Sequence, residues 1–363
     1  MEGKDKTQLI TVVIPNYNGM EYLGECLDSV SAGTFRPAVI VVDNHSGDGS
    51  RELIEREYPG VTLLSLHANT GFCHAVNAGL HLVKTRYAIL LNNDTRVDPH
   101  AVEELYNAIA QNEKAFSAQA KMLSLRDPDA IDDAGDLYCA LGWAFARGKA
   151  KTADHYARGG EIFSACAGAA IYRMKVFDTI GWFDERHYCY LEDVDIGYRA
   201  KIYGYSNLYA PKAIVYHAGS ATSGSVHNPF KEEMTSGNNA YLLYKNMPAV
   251  QYVLNAPLIH LGIAVKRRYF HKKGLGTAYE SGLVRGQYLI QEAKNMDWLK
   301  KYGFPYKKRF IPEEACIENE EEEELTHVLP LYLGGKVPFA FRYLPNYLKI
   351  QGELWANLFR RLT

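Results

Sequence analysis

The chain has 363 residues, 47% of them apolar and 23% charged, a composition that can bury one large core or two ordinary ones and excludes a disordered polymer. Its formal net charge of −2 hides a segregation, because residues 266–312 carry 12 Lys/Arg against 3 Asp/Glu while residues 313–363 carry 5 against 9. Six cysteines, at 26, 73, 139, 166, 189 and 316, form no CxxC pair and lack the density of a disulfide scaffold, so reduced thiols in a cytoplasmic protein are expected. The opening stretch MEGKDKTQLITVVIP does not have the charged-then-apolar layout of an export signal.

In chain order, LITVVIP (9–15), AVIVVDN (38–44), VTLLSL (61–66) and YAILLNN (87–93) are apolar runs of strand length with little alternation, as strands buried on both faces require. Helix-length segments separate them at 21–31, 50–58, 71–85 and 100–111. The alternation predicts an α/β fold with a mostly parallel sheet flanked by helices. Such sheets bind ligands beyond the carboxyl ends of their strands. Those ends carry Pro15, Asn16, Tyr17 and Asn18; Asp43, Asn44, Ser46 and Asp48; Asn69, Gly71 and Phe72; and Asn92, Asn93 and Asp94. A single polar cluster could be a helix cap, as Asp48 before the second helix; four on one rim read as a site.

Beyond residue 115 the pattern loosens, and IDDAGDLYCALGW (131–143) reads as a long loop with turns. Order returns over 162–224, with a strand at AIYRM, a helix at MKVFDTIG, an acidic helix start at LEDVDIGYR and a strand leading to IVYHAG. Glu192, Asp193 and Asp195 place more negative charge at one helix start than capping needs, and neighbouring carboxylates raise each other's proton affinity, which suits a general base. His217 follows an apolar strand, and with Asp94 it offers an imidazole nitrogen and a carboxylate oxygen to a divalent metal that also holds phosphate. Neither a G-x-G-x-x-G nor a P-loop fingerprint is present.

The blocks TVVIPNYNG, VVDNHSGDGS, NTGFCHAVNAG, LLNNDTRVDP, the run from GAAIYRM to KIYGY, and APKAIVYHAGSATSG resemble, in order, those of the family-2 glycosyltransferases, nearest to their rhamnosyltransferase-like branch in bacterial polysaccharide assembly. The resemblance implies a GT-A fold over 1–235, with a nucleotide-sugar half to about 115 and an acceptor half beyond. It implies inverting transfer from a nucleoside-diphosphate donor, favoured as dTDP-L-rhamnose, to a glycan or lipid-linked acceptor. A UDP-hexose donor and a non-catalytic sugar-nucleotide-binding scaffold are the alternatives. By the same resemblance Pro15, Tyr17, Asn18, Asp43, Asn69, Gly71, Phe72, Asn77, Asn92 and Asn93 line the nucleotide-sugar site, with Asp43 on the base. Asp193 is the catalytic base beside Glu192, and Trp182 and Asp184 line the acceptor pocket. Asp94 and His217 hold Mg²⁺ or Mn²⁺, although the family's D-x-D triplet is here Asn92-Asn93-Asp94.

Residues 236–363 are expected to be mainly helical. Pro248 to Val265 is apolar and about 18 residues long, marginal for a membrane span, and KRRYFHKK and LKKYGFPYKKRF follow it. This pattern predicts contact with an anionic membrane surface, with an ordinary helical subdomain packing on the catalytic domain, or a homo-oligomer interface, as the alternatives. The basic segment contains no nucleic-acid-binding motif, so nucleic acid is not an expected partner.

Overall fold

The computed structural model describes residues 9–219, 227–301, 336, 337 and 339–362. The second basic stretch beyond residue 301, the acidic run at 320–324 and Cys316 lie outside them. The first half alternates β1 (Ile10–Asn16), α1 (Met20–Ser31), β2 (Ala38–Asp43), α2 (Ser50–Glu57), β3 (Thr62–Ser65), α3 (Phe72–His81), β4 (Tyr87–Leu91), β5 (Thr95–Val97) and α4 (Ala101–Ala110). Then come β6 (Ala115–Ser124), β7 (Ile131–Asp133), β8 (Asp136–Cys139), β9 (Trp143–Ala146), β10 (Gly160–Ile162), β11 (Ala169–Arg173), α5 (Met174–Ile180), α6 (Glu192–Ile202) and β12 (Ser206–His217). The segment 131–143, read from sequence as a loop, therefore contains strands: β7 pairs with β6, and β8 with β9.

The main sheet runs β3-β2-β1-β4-β11-β6-β12-β10. Strands β1 to β4 are parallel, and the order reverses between β1 and β4, which opens a crevice where they end. β11 is antiparallel to both β4 and β6, and β12 is parallel to β6. β12 therefore points the same way as β4, so His217 at its end reaches the rim where Asp94 stands.

One sheet face buries Leu23, Leu27 and Val30 of α1, Ile54 of α2 and Leu105 and Ile109 of α4. The other buries Val76 and Leu80 of α3, Phe177 of α5 and Ile196 and Ala200 of α6. The described C-terminal region consists of α7 (Pro229–Asn246), α8 (Ala249–Lys272), α9 (Gly276–Lys301) and α10 (Leu344–Leu362), with a short 3₁₀ turn before the last. A third cluster joins Val194, Tyr198 and Ile202 of α6 to Leu242 and Leu243 of α7, Met247 just after it, Ile259 of α8 and Ile350 and Leu354 of α10. α6 is thus enclosed between the sheet and the C-terminal helices.

The α7–α9 crossing is lined with glycine. A Cβ on Gly282 would meet the Glu233 carbonyl oxygen at 2.3 Å, and one on Gly237 would meet the Gly282 carbonyl at 2.7 Å. Only hydrogen side chains allow this backbone approach. The five cysteines among the described residues are free.

Candidate active site

The β1–β4 crevice is built from amides and hydroxyls. Asn16 ends β1, 1% exposed; its Nδ2 faces Asp43 Oδ1 at 3.0 Å and Ser50 Oγ at 2.9 Å, and its Oδ1 accepts from Asn93 Nδ2 at 2.7 Å. Asp43 also accepts the Ser46 N–H at 3.1 Å, so the acid expected on the base is buried and offers a ligand only its remaining lone pairs. Asp48 Oδ1 accepts the N–H of Ser50, the first residue of α2, at 3.0 Å, as expected of a cap, and its Oδ2 accepts the Met20 N–H at 2.8 Å, at the start of α1. Tyr17 is half-buried and Asn18 exposed, with Asn18 in the left-handed region at φ 50°. Pro15, Phe72 and Asn92 are half-buried and Asn69 is exposed, so these remain available at the rim.

Asp94 follows β4 and is 5% exposed. Its Oδ1 lies 3.2 Å from His217 Nε2, and His217 Nδ1 lies 2.8 Å from Asp132 Oδ2, while Lys149 holds the other Asp132 oxygen. Burial would lower the imidazole pKa, but hydrogen bonds to Asp132 and Asp94 raise it to about 9. Two ligands at about 2.1 Å from one ion stand about 3 Å apart in cis positions, so Asp94 Oδ1 and His217 Nε2 fit a divalent cation. Asp132 fixes the ring by its other nitrogen, the arrangement that supports histidine ligands. Asn92 Nδ2 lies 3.3 Å from the same Nε2. Among the described residues no group of three or more His, Cys, Asp or Glu side chains has metal-holding geometry.

Facing this pair is a wall of carboxylates. Asp193 is half-buried at the start of α6 and its Oδ1 accepts the Val194 N–H at 2.7 Å. Desolvation, and secondarily the charge of Asp133, push its pKa up to about 6. Glu192 is 6% exposed and its Oε2 has no hydrogen-bond partner among the described residues; burial and then Asp193 raise its pKa well above the carboxylate range. Burial likewise raises Asp133 to about 6 and lifts Asp136 well above its ordinary value. Ala167, whose backbone N–H favours ionised Asp193, adjoins Gly168, whose carbonyl accepts the Asn92 N–H at 2.9 Å. The Asp193 carboxylate thus sits one strand from the Asp94–His217 pair. Asp132, Asp133 and Asp136 were not singled out from sequence; three acids among small and apolar residues in IDDAGD were the available signal.

Asp195, on the opposite side of α6, has a different task. It is fully buried, with Oδ2 accepting from Arg199 Nη2 and Lys245 Nζ, both at 2.9 Å, and Oδ1 from Asn246 Nδ2 at 2.8 Å. Burial would raise its pKa, yet Lys245 and Arg199 bring it down to about 2.

Three expected ligand contacts are structural instead. Asn77 is 1% exposed and both its amide atoms bond the Phe183 backbone, at 2.9 and 3.2 Å. Asp184, expected in the acceptor pocket, is 1% exposed and accepts from Lys245 Nζ at 2.7 Å and Tyr241 Oη at 2.8 Å. Trp182 stacks on Phe177 at 5.0 Å and lies 4.2 Å from the His81 ring, at the end of α3 remote from the rim. From there the chain runs back along α3, past Asn77 to Gly71, and the Tyr188 ring covers Gly71. A Cβ on Gly71 would lie 2.4 Å from that ring, and its φ of 86° favours glycine, so Gly71 shapes the rim beneath Tyr188.

Tyr188, Tyr190 and Leu191 all have positive φ, between 60° and 71°. This backbone is held from α7, where Asn238 Nδ2 lies 2.8–2.9 Å from the carbonyls of His187, Cys189 and Tyr190. Arg285 of α9 donates to Asn238 Oδ1 at 2.7 Å and to the Arg186 carbonyl at 2.9 Å.

Residues 11–181 match the family model for glycosyl transferase family 2. The chain is 30% identical over 248 residues to the N-acetylglucosaminyl-diphospho-decaprenol L-rhamnosyltransferase of Mycobacterium tuberculosis, covering 60% of this chain and 78% of that one. It resembles glycosyltransferase GlyA of Streptococcus pneumoniae at 32% identity, over 28% of this chain and 15% of that one. Among solved structures it superposes on GalNAc-T7 with UDP, GalNAc and Mn²⁺ at a TM-score of 0.56 and 14% identity, over 84% of this chain and 60% of that chain's length. The Pyrobaculum calidifontis mannosyltransferase PcManGT, in complex with GDP-Man and Mn²⁺, gives 0.51 at 14% identity, over 77% and 87%. With GT-A architecture in these neighbours and 78% of a rhamnosyltransferase matched at 30% identity, the chain belongs to glycosyltransferase family 2 and has the GT-A fold.

Proposed function

We propose that the chain is an inverting glycosyltransferase that moves a sugar, favoured as L-rhamnose from its dTDP donor, to a lipid-linked or glycan acceptor in cell-surface polysaccharide assembly. The observation that carries this is the raised proton affinity of Asp193 across one strand from the Asp94–His217 pair. Asp193 takes the proton of the acceptor hydroxyl as its oxygen bonds to the anomeric carbon. The bond from that carbon to the diphosphate oxygen breaks with its electron pair leaving on the diphosphate, so one displacement inverts the centre. Asp94 and His217 would hold Mg²⁺ or Mn²⁺, which supplies positive charge to the leaving diphosphate. Asp132 keeps His217 aimed, and the amide-rich β1–β4 rim, where Asn16 holds Asp43, receives the nucleotide. Asp184 and Asn77 set the chain path that brings Asp193 to the rim.

The C-terminal surface supports a bilayer-associated acceptor. α8 buries polar Gln251 and Asn255 against α10, through mutual bonds of 2.8 and 2.9 Å between Asn255 and Gln351, yet exposes Val250 at 83% and Val253 at 71%. Leu254, Leu261 and Val265 extend the outward apolar stripe, and α8 contains no Asp or Glu but ends in Arg267, Arg268 and Lys272. α10 adds exposed Leu348, Trp355 and Phe359. Such a face fits an anionic bilayer surface. Among the described residues no helix is long and apolar enough to cross a membrane.

The test is nucleoside-diphosphate release from dTDP-L-rhamnose and UDP-hexoses, each with a lipid-linked acceptor, in wild type and Asp193→Asn. Release from dTDP-L-rhamnose that collapses in the variant supports the reading. Equal rates remove Asp193 from the chemistry, and no release from any donor favours a sugar-nucleotide-binding scaffold. Direct Mn²⁺ titration of the wild type and of Asp94→Asn separately tests the cation site.

A further inference from the structure

The segment that delivers α6 carries more than the base. Three non-glycine residues within four positions, Tyr188, Tyr190 and Leu191, occupy the left-handed backbone region, which costs about 1–3 kcal/mol per residue and persists only where surrounding contacts enforce it. Here Asn238, itself fully buried, bonds three carbonyls of the segment, with Arg285 behind it. The conformation turns two tyrosine rings outward beside Phe230. The Tyr188 and Phe230 centroids are 6.4 Å apart at 83°, and those of Tyr190 and Phe230 are 6.3 Å apart at 64°. Phe230 is 46% exposed at the first turn of α7, while Asn228 caps that helix by accepting the Lys231 N–H at 2.9 Å. Two half-buried tyrosine rings on a strained segment are therefore grouped with the exposed Phe230 ring of α7, outside the core clusters.

We propose that Tyr188, Tyr190 and Phe230 form a subsite for a pyranose ring of the acceptor. This rests on the transferase reading above. A pyranose presents a face of C–H groups that packs against an aromatic ring, while its hydroxyls point sideways to polar neighbours. The position selects acceptor over donor. Tyr188 Oη donates to Asn69 Oδ1 at 3.2 Å and its ring covers Gly71, walling off the β3–α3 turn on the nucleotide side. Tyr190 makes its ring contact with Phe230 and lies two residues before Glu192 and three before Asp193. A sugar on Tyr190 and Phe230 is held next to the carboxylate that deprotonates it.

Saturation-transfer NMR with methyl glycosides of glucose, galactose, mannose, rhamnose and N-acetylglucosamine, in the presence of dTDP or UDP, tests the subsite. At least one glycoside is expected to take up saturation from wild type and to lose it about fivefold in Tyr190→Ala and Phe230→Ala, with Phe230→Trp retaining it. Nucleotide affinity, measured by calorimetry, checks that each variant is folded and should remain within twofold of wild type. No transfer from any glycoside in the wild type, equal transfer in the variants, or a parallel loss of nucleotide affinity overturns the proposal. Failure of the transferase reading would appear separately, as absent sugar-nucleotide turnover in wild type.

Discussion

The β1–β4 rim and the wall made by β7, β8 and α6 handle polarity in opposite ways. In the rim, Asn16 ties Asp43, Ser50 and Asn93 together, so the acid of that cluster is held among amides and a hydroxyl that already have partners. In the wall, Asp133, Asp136, Glu192 and Asp193 crowd together in low dielectric, and one Glu192 oxygen has no partner among the described residues. The difference teaches that one side ties its acid to hydrogen-bonding partners, while the other leaves its acids desolvated and with raised proton affinity. Asp195, only two residues beyond Asp193, shows how little sequence distance separates these regimes: cationic neighbours hold its pKa near 2, where desolvation pushes that of Asp193 to about 6.

The sharpest test of this contrast is Asp193→Asn, expected to lower kcat about a thousandfold as a lost general base, with a folded protein by circular dichroism. An undiminished kcat would assign the proton to another wall acid. Next in size is Lys245→Met, which strands Asp184 and Asp195 without their shared cation and should cost about 3–5 kcal/mol in urea unfolding. A loss below 1 kcal/mol would mean that Arg199 and Tyr241 suffice. Asn238→Ala frees the carbonyls of the 187–190 segment and should cost about 1–3 kcal/mol; unchanged stability would show that Arg285 alone secures the segment.

The pH dependence is subtler. The Asp193 carboxyl binds its proton more tightly folded, at about 6, than at its ordinary 3.8, so folding loses stability as pH rises from about 4 to 6. Asp193→Asn should therefore melt above the wild type at pH 7 and level with it below pH 3.8, whereas the general-base rate should fall about tenfold per unit below pH 6. A melting gap independent of pH would deny the desolvation. The smallest expected effect is on liposome flotation with anionic lipids, which Val253→Asp with Leu254→Asp should reduce several-fold; a change of oligomeric state instead would make α8 a subunit interface.

The rim was legible because strands buried on both faces are continuous apolar runs, and their ends are marked by the first polar residues. Asn16, Asn92 and Asp94 announce themselves in that way, and His217 follows from the parallel course of β12. Of the wall, Glu192 and Asp193 were legible as an acidic helix start, but the β7–β8 side was not, because these strands have three and four residues and too little periodicity to separate from a loop. Burial of Asp133 and Asp136 is a tertiary fact. Trp182 and Asp184 misled because their place in a motif says nothing of the path from 182 to 191, which starts at the far end of α3. The left-handed tyrosines carry no local signature, since the contact that enforces them comes from Asn238, nearly 50 residues downstream.

The glycine-lined crossing of α7 and α9 also bears on how this protein can be recombined. It fixes Arg285 against Asn238, and Asn238 against the segment that starts α6. A chimera that joins residues 1–228 to the helices of a relative would inherit every rim residue, yet the segment that leads into Asp193 would rest on foreign supports. The inheritable catalytic module consequently extends through residue 286, about a hundred residues past the stretch matched by the family model.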